Sequence, residues 1–137
     1  MTNKTPLQTI DYLLFVEAWI MLALARIVLL LVPFRKLIGF MKAKSKCGAA
    51  VLESTVCQEQ ISVAIIRGSR RSPWRAKCFE QALAATMMLR RRNLRSTISF
   101  GAAKNCDTFI AHAWVDCYGI RITGGEKTTE YTLLATF

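Results

Sequence analysis

The hydrophobic pattern of this chain changes period at Asn93, and that change limits the fold to one class. Up to Arg92 the apolar residues recur at helical spacing; beyond it they alternate. Helices therefore come first and strands follow, which is an α+β arrangement with a helix packed on an antiparallel sheet. Four strands are predicted, in "STISFGAA", "TFIAHAWVDC", "GIRITGG" and "EYTLLATF". They read as a meander, with Tyr118-Gly119 as a two-residue hairpin turn between the second and third.

Upstream, a long helix is predicted from Asp11 to Val32, where Pro33 stops or bends it. "FRKLIGFMKAKSKCGA" reads as a short helix followed by a basic loop. A helix follows over Leu52–Arg67, with Leu52, Val56, Val63 and Ile66 on one face and Gly68 closing it. The strongest pattern spans Lys77–Arg92, where Phe79, Ala82, Leu83, Met87 and Leu89 form an apolar face. Arg90, Arg91 and Arg92 suit its carboxyl end through the helix dipole, and Asn93 suits its stop.

The apolar run Tyr12–Phe34 is long enough for a membrane span, but Glu17 and Arg26 interrupt it. Its basic residues follow the run instead of preceding it, which argues against a secretory signal. The run reads as a buried or groove-forming helix. Contact with the inner membrane surface, through this helix and the basic residues after it, is the alternative. The 137 residues are enough for one core, and 53% of them are hydrophobic, which excludes a disordered chain.

A net charge of +10 attracts anionic partners of any kind. Nucleic acid is not an expected partner, since neither paired zinc ligands nor a stacking platform of aromatics is present, and no Gly-rich phosphate loop occurs. Five cysteines (Cys47, Cys57, Cys78, Cys106 and Cys117) cannot all pair within one chain. There is no CxxC and a single histidine, so no metal site is expected. Free thiols in a reducing cytoplasm fit best.

Cys78 is predicted in the first turn of its helix, and His112 in a strand of the sheet that this helix packs on. A helix amino end and a nearby imidazole both favour a thiolate, and the backbone N–H of Cys78 is then a candidate oxyanion donor. The same residues also fit a small buried thiol and a hydrogen-bonded histidine. Asp116 shares a strand face with His112, but four residues of strand span about 13 Å, too far for it to orient that ring. An orienting group should come from the next strand, where the two-residue turn sets His112 opposite Gly125 and Thr123 opposite Trp114. Glu126 is the nearest acid to that place; Thr123 or a backbone carbonyl would also serve.

Three segments together resemble a known family. They are "EAWIMLALARIVLLLVPFRKL" (Glu17 to Leu37), "PWRAKCFEQALAATMMLRRR" (Pro73 to Arg92) and "ISFGAAKNCDTFIAHAWVDCYGIRITGG" (Ile98 to Gly125). They are similar to the lasso-peptide leader peptidases, the stand-alone transglutaminase-like part of the maturation B proteins of microcin-processing type. The resemblance implies a helical lobe over residues 1–50 and a transglutaminase-like cysteine peptidase domain over 51–137. Its core would be papain-like, a nucleophile helix on an antiparallel sheet. Cys78 matches the family nucleophile and His112 its base. The acidic third residue, about a dozen positions after the histidine, is replaced here by Thr123-Gly124-Gly125, with Glu126 just beyond. Implied partners are the precursor peptide, a separate leader-recognition protein and an ATP-dependent macrolactam cyclase. No cofactor is implied. The rival expectations are a catalytically degenerate interaction subunit of such a complex, and a basic protein of membrane surfaces or nucleic acid.

Overall fold

The computed structural model describes residues 6–43, 51–125 and 130–137, with side chains from Thr9 in the first helix and from Thr55 in the third. Helix α1 spans Pro6–Leu31, α2 Phe34–Lys42, α3 Val51–Arg71 and α4 Cys78–Arg91. Strands β1 (Thr97–Asn105), β2 (Thr108–Cys117), β3 (Ile120–Thr123) and β4 (Thr132–Thr136) follow. This is the α+β order read from the change of period.

Local chemistry explains most boundaries. Pro33, extended at φ −60 and ψ 141, separates α1 from α2. The basic loop predicted after α2 lies mainly outside the described residues, as does Cys47. Asn93 ends α4 in the left-handed region at φ 56. Its N–H donates to Arg90 O, and that of Leu94 to Leu89 O, both at 3.0 Å, so two open carbonyls of the last turn are satisfied. Tyr118 and Gly119 both take positive φ, 47 and 81, as a two-residue hairpin turn of type I′ requires.

Two expectations for α3 are corrected. The helix does not close at Gly68 but runs on to Arg71. A Cβ at Gly68 would lie 3.2 Å from Leu22 Cδ1 and 3.6 Å from the Trp19 backbone nitrogen, so this glycine serves close approach to α1. The face carrying Val56, Val63 and Ile66 is exposed; Gln58, Ile61, Ala64 and Ile65 are buried instead. The buried side mixes large Ile61 and Ile65 with Ala64 and with a polar Gln58, so the helical period alone does not single it out.

The sheet order is β3-β2-β1-β4, all antiparallel, so the last strand departs from a simple meander. It returns to pair with β1, beyond which Phe137 and Ile98 exchange backbone hydrogen bonds at 2.9 Å. The Phe137 ring meets Phe100 edge-on, 5.9 Å between centroids, extending an aromatic cluster with Phe79 and Phe34. Burying that ring favours β1 as the partner over the four-residue β3.

Helix α4 lies between α1 and α3 on one side and the sheet on the other. It is buried almost all round, at Glu80, Ala82, Leu83, Ala84, Ala85, Thr86, Met88 and Leu89. The alanines bring neighbours close from several directions. One hydrophobic cluster joins Leu14, Leu22 and Leu37 to Ile61, Leu83, Val115 and Ile122.

Helix α1 has two faces. Its stretch Thr9–Leu31 is long and apolar enough to cross a membrane by length and composition, with a mean hydropathy of 2.3. Both of its mid-helix charges turn inward. Arg26 pairs with Glu80 at 3.3 Å, and Glu17 with Arg92 at 2.6 Å and Arg91 at 3.2 Å. The exposed positions from Tyr12 to Leu31, among them Leu13, Ile20, Leu24 and Ile27, are all apolar.

The Arg92 hydrogen bond holds the Glu17 carboxyl below its ordinary value of 4.5, against an opposing effect of burial. A lowered carboxylate stabilises the fold above its unfolded value, and loses that contribution as pH falls through the folded value. Glu17→Gln should therefore lower unfolding free energy at neutral pH by about 1–3 kcal/mol. The deficit should be smaller at about pH 3, below the unfolded value, than at neutral pH. Urea denaturation at the two pH values checks both; an equal deficit at each would mean that the charge is not what matters.

Candidate active site

The lead-in to α4 is held from two sides. Trp74 lies against Trp19 of α1, with ring centroids 4.7 Å apart. Gln81 reaches back, its side-chain amide donating to Ala76 O at 2.9 Å. Lys77 is the extended residue before the helix and makes no side-chain capping bond. The backbone N–H groups of the first turn, beginning with Cys78, are thus left without a side-chain cap, and they carry the positive end of the helix dipole. Glu80 sits in that turn and is buried at 3% exposure. Arg26 at 3.3 Å and Arg75 at 3.7 Å balance a charge that would otherwise oppose a thiolate two residues away.

His112 sits in β2 directly opposite Gly101 of β1. A Cβ on Gly101 would come within 2.9 Å of both the Trp114 ring and Tyr131 Cβ, so the glycine makes room for the aromatics around the imidazole. The imidazole stacks on Tyr131 at 4.9 Å, with Trp114 further off at 6.0 Å. Its Nε2 lies 2.6 Å from the carbonyl oxygen of Gly124. A carbonyl only accepts, so Nε2 carries the proton and the neutral ring keeps Nδ1 as its basic nitrogen.

Gly124 is suited to this contact and to no side chain. Its φ is +100, and a Cβ there would stand 2.3 Å from Trp114 Cβ. The predicted pairing across β2 and β3 is also shifted. Cys117 and Ile120, then Asp116 and Arg121, pair as the turn requires, but a bulge follows and Thr123 lies opposite Val115, not Trp114. The bulge re-aims the chain after β3. Glu126 lies outside the described residues. Asp116 is committed elsewhere, to the guanidinium of Arg121.

Cys78 and His112 border the same two cavities, of about 470 and 560 Å³. Among the described contacts no hydrogen bond joins the two side chains. Such pairs are often loose before substrate binds. Of the other thiols, Cys117 is buried, and burial, with Cys57 nearby, pushes it up to about 11, so it stays protonated at neutral pH. Cys106 is exposed in the β1–β2 turn, and Cys57 is half-buried. Neither opens a helix. Among the described residues, no three His, Cys, Asp or Glu side chains converge as a metal site would require.

A transglutaminase-like family model matches residues 18–136, which takes in the second half of α1 and every element after it. The chain belongs to the transglutaminase-like superfamily. That superfamily includes cysteine peptidases. No curated protein and no solved structure matches the chain.

Reading the sequence missed Gln81, Gly101, Gly124, Tyr131 and the Arg26–Glu80 pair as parts of the site. Two glycines in a row a dozen residues after the only histidine were the available signal for Gly124. Because His112 is the single histidine, nitrogen NMR of the neutral ring reads one tautomer, and the Nε2–H form is expected. Gly124→Ala should mix the tautomers and cost about 1–3 kcal/mol of stability through backbone strain. A dominant Nδ1–H form in the parent protein would contradict the Gly124 contact.

Proposed function

We propose that this protein is a cysteine peptidase that removes the leader from a ribosomally made lasso-peptide precursor, with Cys78 as nucleophile and His112 as base. The observation that carries the peptidase reading is a thiol at an uncapped helix amino end, sharing two cavities with an imidazole whose Nε2–H is fixed. The leader specificity rests on the resemblance of the three segments. A precursor peptide, a separate leader-recognition protein and an ATP-dependent macrolactam cyclase are the proposed partners.

In the proposed mechanism, Nδ1 of His112 takes the thiol proton and Cys78 Sγ attacks the carbonyl carbon of the scissile bond. The backbone N–H of Cys78 donates to the oxyanion. As the tetrahedral intermediate collapses, the imidazolium gives its proton to the leaving amine, and the acyl group stays on sulfur as a thioester. Water, losing a proton to Nδ1, attacks the thioester, and the acid product leaves with the thiol restored. Through both halves the Gly124 carbonyl keeps the Nε2–H bond and so fixes which nitrogen works.

Incubation with precursor and recognition protein tests this. Cys78→Ala and His112→Ala should each lower the cleavage rate by at least about a thousandfold. Glu126→Ala should stay within a few-fold, because a main-chain oxygen already holds the ring. Cleavage by Cys78→Ala at the parent rate would rule out the enzyme.

The apolar outward face of α1 from Tyr12 to Leu31, followed by exposed Arg35 and Lys36, also favours work at an anionic inner membrane surface. Flotation with anionic vesicles should carry the protein at low salt and less so at high salt. Leu24→Glu should reduce it. Equal flotation with neutral vesicles would remove the role of the basic residues.

A further inference from the structure

The two cavities that meet at Cys78 and His112 differ in chemistry. One is walled by Ser62, Gln81, Arg121 and Thr123 together with Ile66 and Ile122. Thr123 is only 3% exposed, and its Oγ1 is buried with no hydrogen-bond partner. Such a hydroxyl is costly to leave unpaired, so this side suits a substrate group that donates or accepts a hydrogen bond. The other cavity, of about 560 Å³, is walled by Phe34, Phe79, Phe100, Leu134 and Phe137, with Ala135 on β4 at its base. Its volume is within the range of about 300–1,000 Å³ usual for ligand clefts.

We propose that this aromatic cavity is a substrate subsite that takes one bulky aliphatic or aromatic side chain of the peptide, next to the bond that is cut. The proposal rests on the peptidase reading. Three observations support it. Cys78 and His112 stand at the border of the cavity, so a group seated there is held beside the thiol. The walls offer ring faces and methyl groups, and a charged or amide side chain would lose its water without repayment. The neighbouring cavity, with its unpaired hydroxyl, takes the opposite kind of group. A peptide crossing the thiol therefore meets almost wholly apolar walls on one side and mixed polar and apolar walls on the other, which favours one direction as well as one position.

Ala135 is the residue to change. It pairs with Phe100 across β4 and β1, and so lies beside one wall of the cavity. A larger side chain there takes up part of the cavity from β4, while Cys78 and His112 stand on α4 and β2. Leu134 is 67% exposed, so Leu134→Ala opens the rim with little risk to the fold.

The test needs no known precursor. The folded protein is alkylated with iodoacetamide and with its N-benzyl and N-carboxymethyl derivatives, and each cysteine is quantified by peptide mass spectrometry. Cys106, exposed in a turn, is the internal reference. The benzyl-to-parent rate ratio at Cys78 should exceed that at Cys106 by about tenfold, and the carboxymethyl ratio should fall below it. Ala135→Leu should remove the benzyl advantage, and Leu134→Ala should reduce it. Equal benzyl ratios at Cys78 and Cys106, or an advantage that Ala135→Leu and Leu134→Ala both leave intact, would overturn the proposal. Cys78-dependent precursor cleavage with flat ratios would sink the subsite alone. Cleavage that survives Cys78→Ala would sink the peptidase reading, and with it the substrate role, even where the ratios are steep.

Discussion

The burial of α4 on nearly every side is the constraint on which the remaining arrangement depends. A helix at the surface needs one apolar stripe; this one is covered by α1, α3 and the sheet, and its alanines let all of them come near. That enclosure fixes where the first residue of the helix emerges, and so where Cys78 stands relative to β2. It also leaves Glu80 with nowhere to meet water, so Arg26 must turn inward to balance it. The inward turn of Arg26 and of Glu17 is in turn what leaves the outer side of α1 after Asp11 without charge. The greasy surface of the first helix thus follows from the electrostatics of the fourth.

The fold was legible where one side chain decides the outcome. Pro33, Asn93 and Tyr118-Gly119 marked boundaries that the backbone obeys, because each acts through its own φ or a missing N–H. The change of period located the helices and strands for the same local reason. What was not legible depended on partners distant in sequence. Gly68 reads as a stop until Leu22 is known to lie against it. Both sides of α3 carry branched apolar residues, Ile61 and Ile65 on one and Val56, Val63 and Ile66 on the other, and only the neighbouring elements make the first the inner one. The return of β4 to β1 depends on where Phe137 finds other phenylalanines.

The site divides in the same way. Cys78 and His112 stood out through residue type and position, and the structure sets both on the same cavities. For the group that holds His112, Glu126 was the nearest acid, with Thr123 or a backbone carbonyl as the alternatives. The bulge in β3 and the left-handed turn at Gly124 bring the Gly124 carbonyl to Nε2, and no property of a side chain announces which carbonyl that is. A glycine pair was the trace of it, since only glycine fits so close to Trp114 at that φ.

That carbonyl has a consequence for the field inside the site. A carboxylate behind the imidazole would leave the thiolate–imidazolium form with one net negative charge, whereas a neutral carbonyl leaves it with none. Among the described residues, an acidic stretch of peptide approaching this basic protein would then meet a carbonyl, not a carboxylate, at Nε2 of the histidine. The cation of His112 would have the sulfur as its only counter-ion within the proposed catalytic pair, drawing thiolate and imidazolium together more strongly than a shared charge would.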